Sequence, residues 1–209
     1  MESWIGPAII AAVVTAFFAL LRDAAGDRRR RNERIRDVEA ALAAEIRAYV
    51  AVLERDNLEE YGHRIGGRIM QGPDGHTGYF PFIPLENNDS IFTALISDVA
   101  MLPPTVIDWT AIYFQQVRAI AILAEDLRAD AVAQLSALRK AQLYETYISM
   151  KVESLAQGQD AVALLDIHIR HGDRGVAEFL RNRRDEMTQQ RSDELRDWVN
   201  SRASVRSDR

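Results

Sequence analysis

"PTVIDWTAIYFQQVRAIAILAEDL", residues 104–127, repeats an apolar side chain every three or four positions. The apolar positions of this stripe are Val106, Trp109, Tyr113, Val117, Ile120, Leu123 and Leu127. That period is typical of an amphipathic α-helix, and Pro104 suits its first turn, where a missing N–H costs no hydrogen bond. The stretch therefore predicts a helix at the centre of an all-α, bundle-like domain.

A second helix is predicted upstream, over about 27–60. Its apolar residues recur at three- and four-residue steps, with Arg, Asp and Glu between them; they include Ile35, Val38, Leu42, Ile46 and Leu53. Strict heptads fail at Glu45, so packing on the protein's own bundle is favoured over a coiled coil with a second copy. Gly26 is the expected break between this helix and the segment before it.

Further helices are predicted downstream. Asp89 or Ser90 caps one that stops at Leu102-Pro103-Pro104, and a long one covers about 131–157 and ends before Gly158. Asp160 caps a short helix reaching about Arg170. After Gly172, three apolar residues are expected to dock on the bundle: Val176, Phe179 and Leu180. A charged, solvated helix over 181–199 and a disordered tail complete the prediction.

Residues 62–84 differ in composition from the helical segments: they contain six glycines and three prolines, which interrupt any long helix. They predict a loop with a short hairpin turning at Pro73-Asp74-Gly75. The expected organisation is a 1–26 anchor, a 27–60 juxtamembrane helix, a 61–88 Gly/Pro-rich loop, an 89–180 bundle core and a 181–209 charged helix and tail.

The segment from Ile5 to Leu21 contains no ionisable residue. At about 1.5 Å per residue a helix of this length spans roughly 26 Å, close to the thickness of a hydrocarbon core, if Trp4 and Arg22 lie at the two interfaces. A cleaved signal peptide would carry positive charge before the apolar run, and a buried core helix would show a polar stripe. The segment therefore predicts a single transmembrane helix.

The arginines orient this anchor. No Lys or Arg precedes the apolar run, whereas seven Arg lie between Arg22 and Arg36. The positive-inside rule then places the short N-terminus outside and the C-terminal domain on the cytoplasmic side of a bacterial inner membrane. Arg28, Arg29, Arg30 and Arg31 either contact anionic lipid headgroups as well or only set the topology.

Candidate chemistry is sparse. The absence of cysteine excludes disulfides and thiolate catalysis, and no Gly-x-Ser-x-Gly elbow exists. His168 and His171 are weak metal candidates near Asp166 and Asp173, although histidines at a helix end are the simpler interpretation. The Glu60 to His63 spacing would need a second copy to form a di-iron site. The sequence predicts no cofactor and no enzyme.

Residues 79–114, "YFPFIPLENNDSIFTALISDVAMLPPTVIDWTAIYF", resemble a segment of uncharacterised bacterial single-pass membrane proteins. The shared order is a Pro-flanked aromatic stretch, an apolar helix, a Leu-Pro turn and a helix with an aromatic pair, here Tyr113 and Phe114. The resemblance implies the architecture of an anchor followed by helices, and it carries no activity.

These observations predict a membrane-anchored, non-enzymatic scaffold, accessory subunit or recruiting module. Its partners would be the lipid bilayer and another protein or itself. Nucleic acid is not expected, because the basic run at 28–31 lacks interleaved aromatic residues. The alternatives are a self-assembling membrane effector in lysis or defence and a metal-dependent enzyme that uses His168 and His171.

Overall fold

A computed structural model describes the backbone of residues 5–55 and 57–207. Side chains are described for Arg22 and from Gly26 to Arg196, apart from residues 56, 187, 190 and 193–195. The protein is all-α, as predicted, and the described residues include no strand. The helices are α1 Ile5–Leu53, α2 Leu58–Met70, α3 Ser90–Ala94, α4 Ile96–Val99, α5 Pro104–Leu127, α6 Asp130–Ala133 and α7 Ala137–Ser207.

Helix α1 corrects two expectations. It runs through Gly26 without a break, and it ends at Leu53 rather than near residue 60. At about 1.5 Å per residue, its residues 5–34 extend roughly 45 Å before the helix joins the bundle. No helix in the described part of the chain is long and apolar enough to cross a membrane. Trp4 and the side chains of the predicted anchor, 5–21, lie outside the described residues.

Helix α2 occupies much of the predicted Gly/Pro-rich loop. It begins after Asn57, whose side chain accepts a hydrogen bond from the Glu60 backbone N–H at 3.3 Å. The predicted hairpin is wrong: the chain turns near Asp74 into a short 3₁₀ turn, Gly75–Thr77, and then runs extended. Helix α2 persists through Gly62 because this residue lies against Ile148 of α7 at a close helix crossing.

The helix predicted after Asp89 is divided into α3 and α4 at Leu95. Asp89 makes no capping hydrogen bond with its side chain. Instead, the Glu45 carboxylate of α1 accepts the backbone N–H groups of Ile91 at 2.6 Å and Phe92 at 2.8 Å. The residue that interrupts the heptad pattern thus satisfies two N–H groups that the first turn of a helix leaves without partners.

The helix predicted over about 131–157 and the short helix predicted after Asp160 are one in the structure: α7 begins at Ala137, continues through Gly158 and Asp160, and reverses at Gly172. Gly172 has φ 62° and ψ −163°, a conformation open to glycine alone. Arg183 and Asp160 are 23 positions apart, about 34 Å along a straight helix, yet their side chains form two hydrogen bonds of 2.9 and 3.0 Å. Residues 137–171, the first arm, and 173–207, the second arm, therefore form a hairpin.

The second arm confirms that Val176 docks on the bundle, where it is buried. Phe179 and Leu180 pack beside it. Beyond them the described side chains of 181–186 are exposed, as predicted for a charged helix. The sequence predicts a disordered tail, whereas the helix continues to Ser207.

Helix α5 lies in both parts of the core, as its stripe predicts. Its first half packs with α1, the middle of α7 and Val176, and its second half packs with α2 and the start of α7. Trp109 and Leu123 are half-buried, and the other predicted stripe residues are buried. Phe92 of α3 stacks on Phe114 of α5 with the ring centroids 4.2 Å apart.

Gly158 marks the closest approach of α1, α5 and α7. A Cβ there would lie 2.6 Å from Val50 Cγ2 and 2.9 Å from Tyr113 Cε2. We expect Gly158→Ala to lower the free energy of unfolding by about 1–3 kcal/mol, because overpacking outweighs the helix propensity of alanine. Gly67→Ala is the control, since no atom lies within 4 Å of its added Cβ. Urea unfolding in nonionic detergent measures both; equal stability of the two variants would contradict the prediction.

Candidate functional site

The exposed part of α1 carries the basic residues predicted to set the membrane topology. Arg22, Arg28, Arg29, Arg30 and Arg31 are all exposed, and Arg29 pairs with Glu33 at 2.9 Å. Further along α1, Arg34 donates a 2.7 Å hydrogen bond to Asp98 of α4. The basic cluster therefore lies on a helix that stands free of the bundle.

A buried carboxylate and a histidine meet where α1 enters the bundle. Glu39 is 0% exposed, and its Oε1 lies 2.5 Å from Nδ1 of His168. Nε2 of His168 lies 3.4 Å from Oδ1 of Asp173, just past the Gly172 reversal. The contact between Glu39 and His168 is short, but its geometry is not that of a hydrogen bond. Burial raises the pKa of Glu39, and His168 and Arg36 oppose that rise without cancelling it.

The two metal candidates from the sequence do not converge. His168 faces Glu39 and Asp173, whereas His171 packs its Cβ against Gly175. Within the described ranges no group of three or more His, Cys, Asp or Glu side chains is arranged to hold a metal ion. The geometry around His168 instead fastens α1 to the hairpin turn.

A second buried carboxylate, Glu86, ties the irregular segment to α1 and α7. It accepts hydrogen bonds from Tyr147 at 2.5 Å, Lys151 at 2.7 Å, Asn88 at 2.9 Å and Tyr49 at 3.2 Å. Burial and the Glu86 carboxylate raise the pKa of both tyrosines, which therefore remain hydrogen-bond donors. The hydrogen bonds from Lys151 and Tyr147 outweigh the burial of Glu86 and lower its pKa below the ordinary value.

The chain contains only two lysines, and both occupy interior polar positions. Lys140 is 1% exposed and donates to the carbonyl of Gly75 at 2.5 Å. Lys151 pairs with Glu86 and lies over the Tyr147 ring. The two lysines therefore have structural roles that composition alone does not reveal.

The extended segment within the resemblance is held at several points. Phe80 packs edge-on against Tyr144, Ile83 is buried, and the Pro84 carbonyl accepts a 2.9 Å hydrogen bond from Arg128. Phe82 and Leu85 are left exposed, at 90% and 76%. The segment is thus fixed to the bundle while presenting two apolar side chains to solvent.

An open groove of about 410 Å³ lies between α2 and α7. It is lined by Glu59, His63 and Glu145 with Ser149, above a floor of Gly62, Ile148 and Val152. Glu60, the partner considered for His63 from sequence spacing, is not among the lining residues. The predicted pair is therefore not brought together around this groove.

A larger groove of about 580 Å³ lies between the start of α5 and the second arm. We call it the arginine groove; its lining residues are Trp109, Leu180, Arg183, Arg184, Thr188 and Arg191. Arg183 is engaged by Asp160, whereas Arg184 and Arg191 form no ion pair with any described residue. The groove combines an apolar floor with exposed positive charge.

Comparison of the chain with known proteins identifies no relative. No family model, curated protein or solved structure matches the chain. The resemblance of residues 79–114 therefore stays a prediction, and function has to be argued from the chain itself.

Sequence reasoning predicted the charged 181–199 helix but did not predict its contact with the start of α5, because Trp109 was assigned to the core stripe. It also missed the Glu39 and Glu86 clusters. Their signal is weak in sequence, because most of the groups that contact each carboxylate lie far away along the chain. In the sequence, Phe82 is one residue of an apolar motif, and nothing there indicates that its side chain is exposed.

Proposed function

We propose that this protein is a membrane-tethered, non-enzymatic helical scaffold that recruits a partner at the cytoplasmic face of a bacterial inner membrane. The observation that carries the proposal is α1, one helix from Ile5 to Leu53. It joins the apolar segment of the sequence directly to the bundle core, where Leu42 and Ile46 are fully buried. The tether and the folded domain are therefore one mechanical element.

The exposed arginines support the proposed orientation. Residues 28–31 follow the apolar segment on a free helix, at the place where basic residues hold the flanking region in the cytoplasm. Each arginine near an anionic surface adds about 1 kcal/mol of attraction.

A structural role is supported by how the buried charges are used. Glu86 is engaged by four donors from its own loop, α1 and α7, and Glu39 faces His168. Each carboxylate contacts side chains from elements that are distant in sequence. Their contacts account for the burial without a substrate.

Two arginines in the apolar segment test the tether. We expect Val13→Arg with Phe17→Arg to move the full chain from the carbonate-washed membrane pellet to the supernatant, because each central arginine costs about 2.5–3.5 kcal/mol of insertion free energy. Val52→Arg is the matched control: Val52 lies in the same helix but is exposed on the bundle. Retention of the double variant in the pellet, or release of the unmodified chain by carbonate, would contradict the tether.

A further inference from the structure

The arginine groove presents charge in a regular pattern along the second arm. Arg184, Thr188 and Arg191 lie at helix positions i, i+4 and i+7, so all three face the same side. The two arginines are about 10 Å apart along the helix axis. Leu180, four residues before Arg184, continues the stripe towards Trp109.

The groove is built from two elements that converge only in the folded chain. Trp109 belongs to the first turns of α5, and the other lining residues belong to the second arm. The paired hydrogen bonds between Arg183 and Asp160 hold the second arm beside the first. This contact also neutralises Arg183, so the charge left to a partner is that of Arg184 and Arg191.

We propose that the arginine groove binds an acidic amphipathic helix of a partner protein. Such a helix would carry carboxylates seven residues apart, to meet Arg184 and Arg191, and an apolar residue one turn beyond the carboxylate that meets Arg184, to contact Trp109 and Leu180. Binding of an amphipathic helix in a groove is a recurrent mode of recognition, and guanidinium groups pair well with carboxylates. The proposal rests on the scaffold role and names the chemistry of the recruited partner.

Charge complementarity favours an acidic peptide over nucleic acid. Binding of a phosphate backbone depends on neutralising many successive charges. Here the arginines of the second arm are interrupted by the exposed carboxylates Asp185 and Glu186. Two separate carboxylates match this surface, whereas a continuous polyanion meets repulsion between the arginines.

The position of the groove argues against a lipid headgroup. Helix α1 enters the bundle beside the Gly172 reversal, where Glu39 meets His168. The second arm returns from that point along the bundle, and Arg184 lies 12 residues, or about 18 Å of helix, beyond it. The groove is thus displaced from the end of the bundle that the tether reaches.

The test uses the full chain in nonionic detergent with Trp4→Phe and Trp198→Phe, which leave Trp109 as the only tryptophan. The probe is a labelled helical peptide with Glu at i and i+7 and Leu at i−4 and i+11, so that a leucine lies one turn beyond the glutamate that meets Arg184 in either peptide direction. We expect saturable binding by anisotropy together with a shift of Trp109 emission. We also expect at least about tenfold weaker binding when both glutamates are replaced by Gln.

Charge reversal locates the peptide. Arg184→Glu with Arg191→Glu is expected to weaken binding at least about tenfold, whereas Arg118→Glu has no such effect. Arg118 is an exposed arginine of α5 and forms no ion pair with the described residues. Circular dichroism checks the fold, and Arg184→Gln with Arg191→Gln replaces the reversal if the latter misfolds.

Three outcomes would overturn the proposal: no saturable binding, an affinity that the double variants leave unchanged, or displacement by a single-stranded oligonucleotide at lower concentration than by unlabelled peptide. Membrane fractionation of the same chain separates this failure from failure of the tether. If the chain stays in the carbonate-washed pellet but binds no peptide, the proposed tether stands and the arginine groove is rejected as the recruiting surface.

Discussion

Replacing Glu86 with Gln is expected to lower the free energy of unfolding by about 3 kcal/mol at neutral pH. The variant leaves the Lys151 ammonium buried beside a neutral amide, and removal of one partner of a buried ion pair costs about 3–5 kcal/mol. The Glu86 side chain is 6% exposed and that of Lys151 13%, so water offers little compensation. Urea unfolding of the full chain in nonionic detergent measures the loss.

The pH dependence of this loss has a defined sign. The pKa of Glu86 is lowered in the folded state, so its ionisation stabilises the fold above the ordinary value of 4.5. That contribution disappears as the pH falls through the lowered pKa. The difference between the unmodified chain and Glu86→Gln should therefore be constant near neutral pH and shrink below about pH 4.5.

Two variants control this experiment. Glu125→Gln removes an exposed carboxylate of α5 and should change the free energy of unfolding by no more than about 0.5 kcal/mol. Glu86→Leu with Lys151→Met removes both charges and should cost less than Glu86→Gln. A Glu86→Gln variant as stable as the Glu125 control would show that the network is not stabilising.

Replacing His168 with Leu is expected to lower the free energy of unfolding by about 3 kcal/mol at neutral pH, because the carboxylate of fully buried Glu39 then loses the imidazole nitrogen that lies 2.5 Å from it and is left without a polar neighbour there. The loss should shrink in acid. The pKa of Glu39 is raised, so keeping it ionised in the fold costs stability above that pKa, and the cost is absent below the ordinary value of 4.5.

Neighbouring variants separate this pair from the hairpin turn itself. His171→Leu alters an exposed histidine of the same helix end and should be nearly neutral. Glu39→Leu with His168→Leu removes both polar groups and should recover most of the loss. Glu39→Gln should match or exceed the stability of the unmodified chain at pH 7–8 and lose that advantage towards pH 4.5. A double variant no more stable than His168→Leu would show that the loss does not come from the buried carboxylate of Glu39.

Helix identity was predictable wherever the apolar stripe was long. The residues of α5 were assigned correctly because each buried position recurs with the period of one helix face. The docking of Val176 after Gly172 was predictable for the same reason. Local periodicity is a property of the sequence, and tertiary contacts did not alter it here.

Glycine was the least informative signal. Gly62 and Gly158 were interpreted as helix ends, yet both lie inside helices, where the missing side chain admits Ile148 in one case and Val50 with Tyr113 in the other. Glycine in a helix costs about 1 kcal/mol, which close packing can offset. Of these three glycines, only Gly172 interrupts its helix. Distinguishing it from Gly62 and Gly158 requires knowing which side chains pack against each glycine in the fold.

The polar clusters were hidden for a related reason. Glu39 and Glu45 alternate with apolar residues of α1, so the pattern places both in solvent. Glu39 is instead buried against His168, and Glu45 holds the first turn of α3. A carboxylate is buried only where the fold brings its partners together. Those partners come from distant segments of the chain, and the periodicity of the sequence does not show which segments become neighbours.

Because α1 is a single helix, its length sets how the bundle is rotated about the helix axis. Each residue inserted between Arg22 and Arg34 would rotate the bundle by about 100° relative to the start of α1 and lengthen the helix by about 1.5 Å. The direction in which the arginine groove faces, relative to the start of α1, is thus set by the number of residues between them. Seven added residues make nearly two full turns, so they would restore that direction while moving the groove about 10 Å farther from the start of α1.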